Sequence, residues 1–454
     1  MLFSNYYQLI ISHMFKKRLL LVGLSFILFS RFAYSQEENS VPQGELTLDQ
    51  IIDFALKNSP AVLQTAIDEE IGEHEIKSNL AGWYPQLSAS AGGAYNIKLQ
   101  TQVIGDQLIT FGQKYNSNVL FEANQTLFNR DQLFASKTAK YYRNQLDKLS
   151  EDSKINTVVN VSKAYYDIIL SEAQLKILDE NLVRLDKQYK DALHRYEAGL
   201  VDKTDYQRAS IALSNTRSNR NRVAQSFDAK YAYLKQLMGY PEEAEFSVPF
   251  DVEGLKNQVE PADFETLVLE NRVEYQLLLT EQALNEIQTS YEKWNYVPEI
   301  SAYYRYNWQY FNGNFSDLYA RAYPTSSLGV SLAIPIFQGG RRNHRVKVAK
   351  LQEDRGLIEL NNLGKQIQTE YQTALADYKS SVYEWETIRD NMEMAENVYD
   401  IIKLQYDEGV KAYVDLVVAE TDLQTAQINH INALYQVLLS QLDLNKALGL
   451  IKYN

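Results

Sequence analysis

The sequence has 454 residues, no cysteine and a net charge of −13. The lack of cysteine excludes a disulfide framework and the lipidated N-terminal cysteine of bacterial lipoproteins. The acidic balance argues against a nucleic-acid partner, which needs a basic face. The 33 tyrosines suit both the aromatic girdles of membrane proteins and the seams between helices.

The chain is predicted to begin with a secretory signal peptide, residues 1–35, with Met14 as an alternative start. Lys16-Lys17-Arg18 precede the apolar run Leu19–Phe29, and Ala33-Tyr34-Ser35 offers small residues for cleavage. The rival interpretation, a membrane anchor, needs about 20 apolar residues, and this run is shorter. We therefore expect an exported protein with an N-terminal extension, residues 36–46.

Two halves of the chain repeat one pattern 210 positions apart. Gly199 corresponds to Gly409, and Asp205 recurs as Asp415 at the same offset. A repeat of this length is a duplicated subdomain, because solenoid units are about 20 to 50 residues long. The predicted organisation is a first repeat at 47–240, a linker at 241–262, a second repeat at 263–450 and a C-terminal tail at 451–454.

Each half contains a very long predicted helix. Residues 129–197 lack proline and glycine, and their side chains recur in two columns, seven residues apart, that form a coiled-coil stripe. The first column is Val161, Ile168, Leu175, Leu182, Tyr189 and Tyr196, and the second is Ala164, Ser171, Leu178, Leu185 and Ala192. The second half repeats both columns. At about 1.5 Å per residue, such a helix is roughly 100 Å long.

Each long helix is predicted to turn back at a glycine. Gly199 and Gly409 lie just past the helices, where glycine commonly ends a helix. Thr204 and Gln207 form a capping-box pattern, so a return helix of about half the length is predicted at 204–237.

Shorter helices precede the strands. A helix at 60–81 is predicted to stack end to end with the return helix, so that together they approach the length of the long helix. Thr47-Leu48-Asp49-Gln50 opens a short helix with a second capping box. Its counterpart in the second half is predicted at 263–269.

Four segments with period-two alternation lie between the short and long helices, at about 87–96, 118–128, 299–309 and 326–337. Segments of about ten residues with one apolar and one polar face are typical of transmembrane β-strands, although each alone also fits the edge of a soluble sandwich. A barrel needs about eight or more strands, so the chain is predicted to oligomerise. The predicted membrane-interface aromatics are Trp83, Tyr84, Trp294 and Tyr296.

With these elements the chain resembles the TolC-type outer-membrane efflux channels, from the Thr47 helix to Leu450. The resemblance rests on the duplication and on three motifs, Ile334–Gly340, Tyr196–Asp205 and Tyr406–Asp415. It implies a mostly α fold with a transmembrane β part. In that fold, three chains form a twelve-stranded outer-membrane β-barrel continued across the periplasm by an α-barrel of long helical hairpins. It also implies two partners, a periplasmic adaptor protein and an inner-membrane RND or ABC transporter.

The resemblance also assigns a gate at the periplasmic tip. In this family a network between the two hairpins holds the tip shut, and by position Thr204 and Asp205 would face Tyr406 and Lys411. Family members usually carry arginine where Lys411 stands, so the bidentate fork that arginine offers is lost here.

Two further positions correspond to the pore constriction of the family. Asp415 matches an aspartate that rings the pore, and Val418 stands where the family has a second acidic ring. The alternative interpretation is that Asp205 and Asp415 are acidic residues at helix starts, where the helix dipole favours them.

No metal, cofactor or catalytic site is predicted. The five histidines show no metal-ligand spacing, and no nucleophile elbow, phosphate loop or dinucleotide fingerprint is present. The basic run from Arg341 to Lys350 is predicted to be a solvated helix face, with contact to lipid headgroups or the lumen as the alternative.

The predicted function is therefore that of a passive outer-membrane exit duct, not an enzyme, in a tripartite efflux or type I secretion system. The alternative is a secreted or periplasmic coiled-coil spacer without a pore, which membrane fractionation would distinguish. The cargo, the transporter, the ion selectivity and the resting state of the tip are left open by the sequence.

Overall fold

The computed structural model describes residues 42–259 and 266–453. The predicted signal peptide, residues 36–41 of the predicted extension and the first three residues of the predicted helix 263–269 lie outside this range. None of the helices in these two ranges is both long enough and apolar enough to cross a lipid bilayer.

The helices and strands alternate in the order that the duplication predicts. The helices are α1 (Leu48–Asn58), α2 (Pro60–Leu80), α3 (Arg130–Glu197), α4 (Lys203–Met238), α5 (Val252–Asn257), α6 (Val273–Lys293), α7 (Arg341–Asp407) and α8 (Tyr413–Leu448). The strands are β1 (Gly44–Glu45), β2 (Gln86–Tyr95), β3 (Gln100–Ile104), β4 (Gln107–Phe111), β5 (Tyr115–Phe128), β6 (Phe246–Ser247), β7 (Glu299–Asn312) and β8 (Ala322–Ala333). Short 3-10 turns lie at Ala81–Trp83, Leu269–Asn271 and Phe315–Asp317.

The two long helical hairpins are confirmed. Helices α3 and α7 have 68 and 67 residues, and their return helices α4 and α8 have 36 each. The second heptad column of α3, from Ala164 to Ala192, is buried at every position, because that stripe faces the other helices of the chain. Sequence periodicity therefore placed the helix seam correctly.

In each half the return helix meets a shorter helix end to end, as predicted for the first half. Gly239 ends α4 so close to the start of α2 that an added Cβ would lie 2.1 Å from the Asn58 carbonyl oxygen. Gly449 ends α8 in the same way, and its Cβ would lie 2.6 Å from the Asn271 carbonyl oxygen, just before α6. At this second joint the buried Arg272 donates to the Ala447 carbonyl at 3.0 Å and to Glu370 of α7 at 3.1 Å.

One of the two predicted capping boxes forms. At α1, Gln50 donates its backbone N–H to the Thr47 hydroxyl, and its side chain accepts from the Thr47 N–H at 3.0 Å. The Thr204 capping box is wrong, because α4 begins at Lys203 after Asp202, which has the extended conformation of an N-cap residue. Thr204 therefore lies inside the first turn.

The predicted linker at 241–262 contains structure of its own. Strand β6 and helix α5 lie in it, and the Val248 N–H donates to the Tyr231 hydroxyl of α4 at 3.1 Å. The Leu46 N–H donates to the Ser247 carbonyl at 2.9 Å. This segment is therefore packed against the first hairpin, and its end also contacts the second, where Gln441 of α8 donates to the Gln258 carbonyl at 3.1 Å.

The four long strands form one antiparallel sheet in the order β2, β5, β7, β8. One face is mainly apolar and aromatic, with Phe121 and Trp308 at a ring distance of 5.5 Å. The other face carries polar groups, among them an ion pair between Arg305 and Glu122 at 2.9 Å. Neither β2 nor β8 pairs with a further long strand in the described ranges, so the sheet has two open edges.

The structure also contains short strands that the sequence did not predict, β3 and β4 besides β1 and β6. Strands β3 and β4 form a separate two-stranded hairpin within 97–117, which was interpreted as a loop. The alternation there is weak because polar glutamine and threonine share both faces with aliphatic residues. All four long strands are present near the predicted positions, and the short strands come in addition to them.

Candidate functional site

The two hairpin turns are built alike. Gly199 and Gly409 adopt φ values of +73° and +77°, a left-handed conformation that favours glycine. At each turn the residue after the glycine donates its N–H to the carbonyl five residues earlier, at 2.9 Å and 2.8 Å, which completes a Schellman motif. Both glycines therefore lie in turns between two helices, and their place at the tip of a duct stays a prediction.

A hydrophobic cluster packs the two hairpins together next to these turns. All four hairpin helices contribute to it. Its buried members are Ala192, Ala209, Tyr399, Tyr413, Leu416, Ala419 and Leu423. The tip of one chain is therefore a single packed unit, and the predicted gate residues lie around it.

Tyr406 lies in the seam between the hairpins, packed against the hydrophobic cluster. Its ring packs against Tyr413 at 5.8 Å and under the Arg195 guanidinium at 5.2 Å. Burial raises the pKa of Tyr406, the Arg195 charge lowers it, and the Asp205 charge raises it. Tyr406 and Asp205 are thus close enough for their electrostatic fields to interact.

The other gate residues are not joined within the chain. Lys411 contacts Asp415 of its own hairpin, with the ammonium 3.9 Å from the carboxylate, and Thr204 is exposed. Across the described side chains, no hydrogen bond or ion pair links Thr204 or Asp205 to Tyr406 or Lys411. The four-residue lock does not form within one chain, and its formation in an assembly stays a prediction.

Asp415 and Val418 lie one turn apart at the start of α8 and share its exposed side. They place a carboxylate next to an apolar group, as the sequence predicted, and their role in a constriction stays a prediction. Asp205 and Asp415 also occupy the first turns of α4 and α8, so the helix-start interpretation holds for both.

The structure shows a link between the hairpins that the sequence did not predict. Glu420 of α8 is only 3% exposed and accepts from the Arg184 Nε of α3 at 3.2 Å. Gln188, also on α3, donates to the other carboxylate oxygen. Arg184 in turn donates to Asn181 and lies 5.9 Å from the Tyr399 ring.

The Glu420 carboxylate is a buried polar group in a mainly apolar seam between the hairpins. Burial raises the pKa of Glu420, and the contacts with Gln188 and Arg184 oppose that rise. Burial and the Glu420 charge both raise the pKa of Tyr399, to about 12. The signal in the sequence was a carboxylate on the apolar stripe of α8, four residues after Leu416 and three before Leu423.

The four predicted interface aromatics gather where the helices meet the sheet. Trp83 ends the turn before β2 and donates its indole N–H to Ser136 at 2.9 Å. Trp294 follows α6, with the Lys137 ammonium 5.1 Å from its ring. Tyr84 and Tyr296 are exposed beside them. The structure thus brings all four to one end of the sheet, and their contact with a membrane stays a prediction.

No group of three or more metal-ligating side chains comes together in the part of the chain that the structure describes. His430 is buried against Trp385, with the rings 6.2 Å apart. Burial lowers the pKa of His430, which makes this histidine a neutral packing residue between α7 and α8.

The duplicated hairpins and the four-stranded sheet match a known family. The family model described as "Outer membrane efflux protein" matches residues 51–240 and 270–450. The chain belongs to the outer membrane efflux protein family. The resemblance predicted from the motifs is therefore confirmed, and the protein is an outer-membrane protein.

Relatives in this family align along most of the chain. The outer membrane protein TolC of Vibrio cholerae is 21% identical over 407 residues, which cover 88% of this chain and 90% of TolC. The proteases secretion protein PrtF of Dickeya chrysanthemi is 21% identical over 412 residues, with 87% of each chain covered.

Solved structures of the outer membrane efflux fold agree with this architecture. The transmembrane channel CusC superposes with a TM-score of 0.74 at 17% identity, covering 88% of this chain and 91% of CusC. The MtrE outer membrane channel of Neisseria gonorrhoeae, in its open state, superposes with a TM-score of 0.70 at 18% identity, covering 88% of each chain. The two long hairpins and the sheet are thus the fold of the family.

Proposed function

We propose that this protein is the outer-membrane exit duct of an export system. The observation that carries the proposal is the family match over both repeats, together with two helical hairpins roughly 100 Å long that continue directly into a sheet with an aromatic face. A duct of this kind needs no catalytic group, because the protein only provides a path.

We propose that the duct is a homotrimer. The sheet of one chain has four long strands and two open edges, and closing a sheet into a barrel requires about eight or more strands. Three chains that join β2 to β8 around an axis would supply twelve strands and remove every open edge. Helix α7, which is largely exposed along its length, would gain its missing neighbour in the same assembly.

The partners are a periplasmic adaptor protein and an inner-membrane RND or ABC transporter, which supplies the energy. Among the relatives, one is named a toluene efflux pump protein, one an antibiotic efflux pump protein and one a proteases secretion protein. The cargo is accordingly a small toxic molecule or a polypeptide, delivered by the transporter.

The gate of this duct lies at the helical tip. In the trimer, the predicted lock of Thr204, Asp205, Tyr406 and Lys411 would join neighbouring hairpins, and Asp415 and Val418 would line the constriction. Three valines beside three carboxylates would form a partly apolar ring. Glu420, held by Arg184 and Gln188, would keep the two hairpins of each chain in register below it.

Single-channel conductance in planar bilayers tests the proposal. The purified mature protein is compared with a variant whose lock is removed without large changes in shape, Thr204→Val, Asp205→Asn, Tyr406→Phe and Lys411→Gln. The expected result is a small unitary conductance in the natural protein and a several-fold larger one in the variant.

The matched control makes similar changes away from the tip, Asp228→Asn and Tyr233→Phe on the exposed side of α4, and its conductance should equal that of the natural protein. A rise in the control as well would disprove the lock assignment. No conductance in any of the three proteins, with the chain recovered in the soluble fraction, would favour the coiled-coil spacer over the duct.

A further inference from the structure

The hairpin of β3 and β4 exposes aliphatic side chains on both of its faces. Val103 and Leu108 are 71% and 76% exposed and lie opposite each other. Ile104, Ile109 and Phe111 lie on the other face and are also exposed. A two-stranded hairpin is only marginally stable in water unless a third element covers it, so this hairpin is expected to pack against something.

The base of the hairpin is fixed, which gives its surface a defined position. The Asn96 N–H donates to the Lys114 carbonyl at 2.7 Å, and the Asn96 side chain donates to the Gln113 carbonyl at 2.8 Å. The Tyr95 and Tyr115 rings pack below these bonds at 4.9 Å. The aliphatic side chains are therefore held beyond the end of β2, one of the two open edges of the sheet.

The loop beside the opposite edge carries aromatic side chains. Residues 313–321 connect β7 to β8, and this loop is packed by its buried Leu318 and by a bond of 3.0 Å from the Asn312 side chain to the Asp317 carbonyl. Phe315 and Tyr319 nevertheless remain 67% and 64% exposed. We name residues 313–321 the aromatic loop.

The hairpin and the aromatic loop suit each other as two halves of one contact. In a ring of identical chains each interface is heterologous, so it joins two different surfaces that lie on opposite sides of the same chain. The hairpin lies beyond the ends of β2 and β5, and the aromatic loop lies beyond the ends of β7 and β8, at the same end of the sheet. Within its own chain the loop reaches β5, where Phe315 packs on Tyr115 at 5.5 Å and the Tyr319 hydroxyl donates to Ser117 at 3.5 Å. Between Gln100 and Phe111 the only charged residue is Asp106, in the turn, so little charge opposes the contact.

We propose that the hairpin of one chain packs its aliphatic side chains onto the aromatic loop of a second copy. In the assembled protein these contacts form an apolar collar at the end of the sheet farthest from the helices. The inference rests on the proposed function, since it requires chains that join edge to edge.

Cross-linking tests the contact, and the absence of cysteine from the sequence provides a clean background. Gln102→Cys and Ala320→Cys place one thiol in the hairpin and one in the aromatic loop. They leave in place the aliphatic and aromatic side chains of the hairpin and both Phe315 and Tyr319 of the loop. Treatment of the membrane-embedded protein with a short bis-maleimide is expected to give covalent dimers and trimers on a denaturing gel. The control combines Gln102→Cys with Ile336→Cys, an exposed site past the other end of β8, and should stay monomeric.

The mass of the detergent-solubilised particle separates the possible failures. A three-chain mass without cross-links from Gln102→Cys and Ala320→Cys would overturn the collar and leave the duct intact. A one-chain mass would overturn both the collar and the proposed trimeric duct. A second variant, Val103→Ser with Leu108→Ser, is expected to lower the temperature at which the trimer dissociates by several degrees, and an unchanged temperature would also contradict the collar.

Discussion

The long helices α3 and α7 are copies of one element, yet the chain treats them differently. Seventeen residues of α3 are buried and only six of α7. Helix α3 packs against α2, α4, α6 and α8, whereas α7 packs mainly against α6 and α8. The difference in burial comes from position in the fold, because α3 has helices on several sides and α7 lies at the edge.

Equivalent residues near the tip show how the sequence has adapted to these two positions. Arg184 and Gln188 of α3 hold the buried Glu420. Their counterparts in α7 at the 210-residue offset are Met394 and Val398, which are 56% and 52% exposed. The face that makes a polar contact within the chain is therefore apolar where it has no partner in the chain. In the trimer proposed above, this apolar face would meet another copy of the chain.

The largest effect is expected from Arg184→Ala compared with Met394→Ala. Removing Arg184 leaves Glu420 buried without its charge partner, and breaking such a pair costs about 3 kcal/mol of unfolding free energy. Met394→Ala removes a half-exposed side chain and should cost less than about 1 kcal/mol in the single chain. Denaturant unfolding followed by circular dichroism measures both. Equal losses would show that the two faces do not differ.

The next effect concerns assembly. Val398→Asp places a charge on the apolar face of α7 and is expected to weaken trimer formation by about 2 kcal/mol, roughly 30-fold, while each chain remains folded. Sedimentation of the detergent-solubilised protein at several concentrations measures the change. The control is Val183→Asp on the exposed side of α3, since its repeat counterpart is already Glu393. Unimpaired assembly of the Val398→Asp protein would contradict an interface at this face.

The pH dependence of the Glu420 link follows from its raised pKa. A carboxyl whose pKa is higher in the folded chain than in the unfolded chain adds stability at low pH, and that stability is lost as the pH rises through the folded-state value. The unfolding free energy of the natural protein, minus that of Glu420→Gln, should therefore fall as the pH rises above the ordinary carboxyl value of about 4.3. Other carboxylates cancel in this difference. A difference that stays flat would show that folding does not raise the pKa of Glu420.

The smallest effects are expected at the tip turns. Gly199→Ala and Gly409→Ala should each cost about 1 kcal/mol of unfolding free energy, because alanine disfavours a positive φ. No other group lies within 4 Å of either added methyl, so the two costs should be nearly equal. Gly239→Ala is the informative contrast, since its Cβ would also meet the Asn58 carbonyl and should cost more. Thermal unfolding of the three variants makes the comparison.

Most of the fold could be predicted from the sequence because its signals are local and long. A seven-residue period sustained from Ala164 to Ala192 defines one buried stripe, and a glycine after each long helix defines each turn. The Thr204 capping box failed because Asp202, another residue type favoured at helix N-caps, takes the N-cap position two residues earlier, without a side-chain capping bond. Pattern alone does not decide between two competing N-cap residues.

The site was harder to predict than the fold because its key contacts join distant residues. Glu420 is a single carboxylate on an apolar stripe, and its meaning depends on Arg184 and Gln188, which lie more than two hundred positions away. The β3 and β4 hairpin was missed for the opposite reason, since its polar and aliphatic side chains share both faces. A search for one apolar and one polar face does not find a hairpin that carries aliphatic side chains on both faces.

The end-to-end joints at Gly239 and Gly449 have a mechanical consequence. Helices α3 and α7 are each unbroken. Beside each of them lie two separate helices that meet end to end, α4 with α2 in the first half and α8 with α6 in the second. A twisting force at the tip would therefore be taken up by rotation at the joints before either long helix bends. Because Arg272 fastens the second joint to α7 and to the end of α8, we expect the first joint to be the more compliant hinge.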